Sequence, residues 1–273
     1  MSESKINLRD MLHNEDFPLS AKYDPRWVAE NQMGPNALWL TEWLCREMNL
    51  RPGMRVLDMG CGKAMSSIFL AREFDVQVWA NDFWIPATDN WQRICEAGLQ
   101  DRIFPIHAEA HALPYAEGFF DAIVSVDSYH YYGTDDLYLN YFVKFLEPGG
   151  RIGIVVPALM RDFDGPVPEH LTRRQKSGGV FWAEECWSIH TVDWWRHLWG
   201  RGSLVAVGLA DTLADGWATW LQFEKAIDAA GTNPFPSDIE VLEADAGAYL
   251  GFARMIAERK PVTTSKPQEA NLP

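Results

Sequence analysis

Several features are scarce in this sequence of 273 residues, and each shortage narrows its possible roles. Its four cysteines, Cys45, Cys61, Cys95 and Cys186, stand far apart with no Cys-x-x-Cys pair. Neither a zinc knuckle nor a disulfide framework is therefore written in it, and reduced thiols are expected. No stretch approaches the roughly 20 apolar residues a membrane helix needs. The opening Met1-Ser2-Glu3-Ser4-Lys5 is polar where an export signal needs an apolar core, so a cytoplasmic location is expected. Positive charge is also sparse. Lys and Arg total 24 against 38 Asp and Glu, a net charge of −14, which repels a nucleic-acid backbone and an anionic membrane surface alike. We find no internal repeat.

What is present reads as an ordinary folded protein. Hydrophobic residues at 47% and charged residues at 23% exclude disorder, collagen and coiled coil as descriptions of the whole. The length suits one large α/β domain, or one with a modest appendage. One residue type is in excess: there are 13 tryptophans against 8 tyrosines, and five lie between Trp182 and Trp199.

Residues 8–52 read as an irregular helical lead, punctuated by Asp24-Pro25 and Gly34-Pro35, in which Trp39, Leu40, Trp43 and Leu44 repeat at helical spacing. From Arg55 short apolar runs alternate with amphipathic stretches: 56–59, 76–80, 103–107, 122–126 and 152–156. That βαβα rhythm predicts a Rossmann-like, doubly wound parallel sheet. Residues 136–145 read as a helix on it. After Val156 the rhythm breaks, and about 157–203 is expected to form a cap over the sheet. A strand at 204–210, a helix at 216–230 and an apolar run at 249–256 follow. One domain over 1–260 is expected, with a frayed, disordered tail at 261–273.

The most informative stretch is Val56-Leu57-Asp58-Met59-Gly60-Cys61-Gly62-Lys63-Ala64-Met65, a strand running through a glycine turn into a helix. Glycines there let a ligand approach the backbone and leave the helix amino terminus free to receive it. The dinucleotide fingerprint wants a third glycine at Met65, and Asp58 would repel a pyrophosphate, so a nicotinamide-dependent reductase is disfavoured. The loop suits a nucleoside without phosphates. S-adenosylmethionine is such a ligand, and its ammonium gives Asp58 an electrostatic role. Twenty residues on from Gly62, Asp82 ends the second strand where ribose hydroxyls are bound in nucleotide-binding folds, and Phe83 is placed to cover an adenine. A plain helix-capping Asp is the competing reading of Asp82.

Taken in order, Asp58-Met59-Gly60-Cys61-Gly62, Asp82, Ala108-Glu109-Ala110 with Leu113-Pro114, Phe120-Asp121, and Leu146-Glu147-Pro148-Gly149-Gly150 resemble the motifs of the class I S-adenosylmethionine-dependent methyltransferases, over about residues 50–160. The resemblance implies a seven-stranded sheet whose last strand, 249–256, is antiparallel. It also implies that Asp58, Gly60 and Gly62 line the methionine side of S-adenosylmethionine, with S-adenosylhomocysteine as product. Asp82 would then hold the ribose, Phe83 flank the adenine, Glu109 accept from the adenine amino group and Ala110 offer its backbone. Two positions depart from the family pattern: its third loop glycine is Ala64 here, and its usual aspartate in the adenine motif is Glu109. Cys61 reads as filler within the loop.

Asp127-Ser128-Tyr129-His130 follows the fourth strand, bordering both cofactor and acceptor. Asp127 is a candidate for the methionine ammonium. His130 is the candidate catalytic base, against a purely structural imidazole. Tyr23 and Asn31-Gln32 in the lead are candidates to close over the cofactor. His107 and His111 have a metal-like spacing but bridge a strand end and its loop, so no metal is expected. The cap's Phe181-Trp182, Trp187, Trp194-Trp195 and Trp199 read as a buried cap core, with an aromatic box for a cation as the alternative. Together these residues predict methyl transfer to N, O or S of a small-molecule acceptor. A carbon methyltransferase or cyclopropane-forming enzyme, and a cofactor-binding protein without turnover, are the rivals. Oligomeric state is not encoded in any feature we recognise.

Overall fold

A computed structural model of the protein describes residues 7–261. The tail expected from 261 onward thus lies, but for Pro261, outside the described residues. The lead holds α1 (Leu8–Met11), α2 (Pro25–Asn31) and α3 (Ala37–Cys45). Asp24 caps α2, its carboxylate accepting from the backbone of Arg26 and Trp27, with Pro25 at the first helical position. Asn36 caps α3 in the same way.

The alternating section follows as β1 (Arg55–Met59), α4 (Met65–Phe74), β2 (Gln77–Asp82), α5 (Ala87–Glu96), β3 (Ile103–His107) and β4 (Phe120–Val126). After these come α6 (Tyr138–Phe142) and β5 (Leu146–Leu159). The helix expected over 136–145 is shorter than its apolar pattern suggested, since a 3₁₀ turn at Val143–Phe145 leads directly into β5. Beyond β5 lie α7 (Glu169–Thr172), β6 (His190–Thr191), α8 (Val192–Gly200), β7 (Val205–Thr212), α9 (Gly216–Ala230), α10 (Ile239–Asp245) and β8 (Leu250–Arg259).

The main sheet runs β3-β2-β1-β4-β5-β8-β7, the doubly wound seven-strand order. The first five strands are parallel, and β8 inserts antiparallel between β5 and β7, with Ile154 opposite Met255. An additional two-residue strand, β6, pairs with the end of β5. Buried on both faces, the strands are near-continuous apolar runs, as parallel sheets require. Side chains of α3, α4 and α9 form the core on one face, and those of α6 and α8 the core on the other. Arg55 at the start of β1 makes two hydrogen bonds to Asp121 through its guanidinium and one through its backbone, which pins β1 against β4 at the end remote from the glycine loop.

The cap differs from the expected 157–203. β5 continues to Leu159, and α8 belongs to the sheet layer, because Trp195 and Trp199 are completely buried beside Tyr129. Instead the cap has two pieces, 160–191 and 231–249. His170 and Asp245 join them across 2.9 Å, and α7 packs on α10.

Candidate active site

The loop after β1 is shaped by three left-handed residues in five, Gly60 (φ 75°), Gly62 (φ 53°) and Ala64 (φ 62°). Gly60 needs its missing side chain, since a Cβ there would lie 1.9 Å from Ser128 Oγ. Ala64 keeps the conformation of the glycine it replaces, at a cost of about 1 kcal/mol. The loop is tied down from below. Gly60 and Cys61 donate to the Asn81 carbonyl, and Asn90, a residue no motif had flagged, donates to the Gly62 carbonyl at 2.8 Å. Cys61 is buried and its thiol is pushed well above its usual range by desolvation, which suits filler and not a nucleophile.

Asp58, the penultimate residue of β1, has only 1% of its surface exposed. Its Oδ2 accepts from Ser66 and Ser67 of α4, both at 2.6 Å, while Oδ1 is buried without a partner. Burial is the main cause that raises this carboxyl to about 6; the serine hydrogen bonds oppose it. An orphaned acceptor on a buried acid calls for a donor, preferably a cationic one. Asp82 accepts from Gly62 N at 2.8 Å through Oδ2 and from Trp84 N and Ile85 N through Oδ1. It therefore caps its own turn, not α5, whose N-cap is Pro86, and anchors the glycine loop. Phe83 is 58% exposed and stacks on His107, whose Nε2 meets the Phe83 carbonyl at 2.8 Å.

Other residues expected at the site are placed differently. Glu109 turns to its own loop, accepting from His111 N and pairing with His111 Nδ1, both at 2.8 Å. Its neighbour Ala110 is buried, and the Ala110 carbonyl is already taken by the Tyr138 hydroxyl at 3.2 Å. Tyr23 does not reach the cleft. It is buried beside Trp27 and Phe69 with its hydroxyl toward Glu73, because the lead runs along α4 before it turns back at Gln32.

That turn, Gln32–Pro35, reaches the cleft. Met33, Gly34 and Pro35 face the glycine loop across a cavity of about 60 Å³, which Asn31 and Asp127 also line. The same turn and Asp127 border a larger chamber of about 560 Å³ under the cap. Gln32 is buried, accepts from Gly34 N and reaches the Thr232 carbonyl, so it links lead and cap. Asp127 holds a left-handed backbone (φ 53°) that non-glycine residues rarely adopt, a strain that collects at functional positions. Burial, helped by the negative charge of Asp238, pushes its carboxyl up to about 8. His130 lines the chamber, is 3% exposed, and has Nδ1 free of any partner. Burial pulls its pKa down to about 3, so the ring is neutral. Phe181 faces the chamber together with Trp220, whereas Trp187 is exposed and Trp194 stacks on His190. The tryptophan cluster is therefore mostly packing. Missed altogether were Trp220 and Glu224 of α9, and Phe235 and Asp238 before α10, which complete the chamber from the second half of the cap. No group of three or more metal-capable side chains occurs among the described residues.

With this geometry in place, comparison with known proteins adds three findings. Residues 56–150 match the family model described as a methyltransferase domain. The chain is 31% identical over 146 residues to the methyltransferase GfsG of Streptomyces halstedii, an alignment covering 53% of this chain and 50% of that protein. Other matched relatives are named for transfer to oxygen, nitrogen or carbon, and the chain spans half or less of the length of the first curated relatives it matches. Among solved structures, a phosphoethanolamine N-methyltransferase 2 of Haemonchus contortus with S-adenosyl-L-methionine shares the fold at TM-score 0.67 and 14% identity, over 96% of this chain and 62% of that one. A geranyl diphosphate C-methyltransferase of Streptomyces coelicolor A3(2) shares it at TM-score 0.63 and 16% identity, over 92% and 83%.

Proposed function

We propose that the chain, whose residues 56–150 match a methyltransferase domain, is a class I S-adenosylmethionine-dependent methyltransferase that transfers the methyl group to a heteroatom of a small molecule held beneath the cap. The observation that carries this reading is the chamber of about 560 Å³, a size suited to a small organic molecule, which meets the glycine-loop cleft at Gly34 and Asp127. The donors and acceptors present fit the cofactor. Asp58 offers an unpartnered buried oxygen, Asp82 offers lone pairs beside Gly62, and Phe83 offers an exposed ring face. When bound, S-adenosylmethionine supplies a methyl group already activated by its sulfonium.

The remaining work falls to this chain's own side chains: aligning the acceptor, excluding water and removing a proton where the acceptor carries one. A neutral His130 with a free Nδ1 accepts a hydrogen bond from the acceptor and fixes its orientation. As a base it is weak, because burial disfavours its charged form. Asp127, raised to about 8, is better matched to proton removal near neutral pH, so we assign His130 to positioning and the proton to Asp127. Met33 packs over the loop, its sulfur within 3.2 Å of where a Cβ at Gly62 would lie.

The chamber also sets this chain apart from the phosphorylated acceptors named for the two structural neighbours. No Lys or Arg lines it among the described residues, so nothing there would neutralise a phosphate. The test is release of S-adenosylhomocysteine from purified protein offered amines, thiols, phenols and carboxylates with S-adenosylmethionine. Turnover on one class supports the reading; cofactor binding with no turnover on any of them favours a binding protein.

A further inference from the structure

The chamber is lined by four acids, Asp127, Glu185, Glu224 and Asp238, drawn from four separate segments of the chain. Salt bridges do not account for them. Among the described residues none of the four carboxylates pairs with a Lys or Arg, although eleven salt bridges occur elsewhere in the molecule. The carboxyls of Asp127 and Asp238 accept no hydrogen bond from a described residue, while Glu224 is held by Asn233 at 3.2 Å and by Asp238 N at 3.4 Å. Glu224 is buried, Asp127 and Asp238 are half-buried, and Glu185 stands exposed at the rim. Like charges crowded on such a partly desolvated wall are unfavourable unless a cation joins them. Asp238 and Glu224 both lie above their usual carboxylate range, with burial as the main cause, and the charge of Glu224 adds to the shift of Asp238.

Two further atoms point the same way from other parts of the wall. Gln175 is 7% exposed, lines the chamber and has a buried Oε1 with no donor; His130 Nδ1 is likewise buried and unpartnered. Gln175 Oε1 is an acceptor awaiting a donor, and His130 Nδ1 accepts one when the ring carries its proton on Nε2. The rings of Phe181 and Trp220, 6.1 Å apart, complete the wall, and aromatic faces attract cations in desolvated sites.

We infer that the acceptor is an amine that enters as its ammonium, seated by Asp127, Glu224 and Asp238 against the rings of Phe181 and Trp220, with its donor hydrogens reaching Gln175 Oε1 or His130 Nδ1. This rests on the methyltransferase reading and names the substrate class within it. Before reaction the ammonium passes one proton to the Asp127 carboxylate, leaving a neutral amine whose lone pair is the nucleophile. A carboxylate or phosphate ester of the same size meets only like charge.

Three probes with one apolar body and charges of plus one, zero and minus one test this: 2-phenylethylamine, 2-phenylethanol and phenylacetate. Each is titrated calorimetrically into protein saturated with S-adenosylhomocysteine, whose own binding is measured first. A protein that fails to bind the cofactor product contradicts the methyltransferase reading itself, which separates that failure from failure of the amine assignment. With the product bound, the amine is expected to bind roughly tenfold or more tighter than the alcohol, the worth of one charge-assisted hydrogen bond, and phenylacetate to bind not at all. Asp238→Asn and Glu224→Gln should each lower the amine-to-alcohol ratio about threefold or more while alcohol and product affinities hold. Equal amine and alcohol binding, preference for the carboxylate, no amine binding, or a ratio indifferent to both variants would overturn the inference.

Discussion

Asp82 accepts three backbone N–H groups, and on the ribose role we propose for it, its removal should also be felt by the ligand. Asp82→Ala is expected to weaken S-adenosylhomocysteine binding by about 10- to 100-fold, the range for hydrogen bonds to a charged group. Calorimetry reads the loss, and an unchanged circular dichroism spectrum shows that the sheet survives. His130→Asn and Asp127→Asn should part company from Asp82→Ala. Each lowers turnover about 10-fold or more while cofactor affinity changes little, and of the two only Asp127→Asn should remove the acid limb of the pH–rate profile, the rise in rate as the base loses its proton. That Asp58, Gly60, Gly62 and Asp82 stand together at the ends of β1 and β2 was readable from sequence because it is local: a strand end fixes where the next few residues sit. Tyr23 and Glu109 were not. The direction of a lead segment and the rotamer of an exposed carboxylate depend on long-range packing and on neighbours such as His111, which no local spacing reveals.

Among the elements, the turn Gln32–Pro35 matters most for function, because it closes both cavities. Gly34 has φ 152°, and a Cβ there would come within 2.2 Å of Asp127 Oδ2. Gly34→Ala should therefore lower stability by about 1–3 kcal/mol and slow cofactor entry, seen as a reduced denaturant midpoint and a slower association phase for S-adenosylhomocysteine. The sheet was readable almost strand by strand, and the helix at 216–230 to the residue, since parallel strands and amphipathic helices announce themselves by their periods. The cap was not. Its first piece was extended too far, although Trp195, Leu198 and Trp199 at helical spacing carried the signal that α8 packs on the sheet. Its second piece, 231–249, went unseen because Asn233-Pro234-Phe235-Pro236 reads simply as a loop.

For the molecule as a whole, raised carboxyls set the dependence of stability on pH. Asp58, Asp127 and Asp238 titrate at about 6, 8 and 7 when folded, above the value of about 3.8 they take when unfolded. Between those limits the folded protein holds more protons than the unfolded chain, so the contribution of these groups to stability falls as pH rises from about 4 to 8. The unfolding midpoint should drop between pH 5.5 and 8.5, and Asp238→Asn should flatten that slope; an unchanged slope would remove Asp238 from the argument. A net charge of −14 acts in the same sense and also draws cations toward the cleft. Everything above nevertheless depends on a single ligand. Calorimetric titration of the purified protein with S-adenosylmethionine and S-adenosylhomocysteine tests it most directly. Saturable one-to-one binding of both, weakened in Asp82→Ala, is the predicted result, and the absence of saturable binding in the unmodified protein would contradict the account.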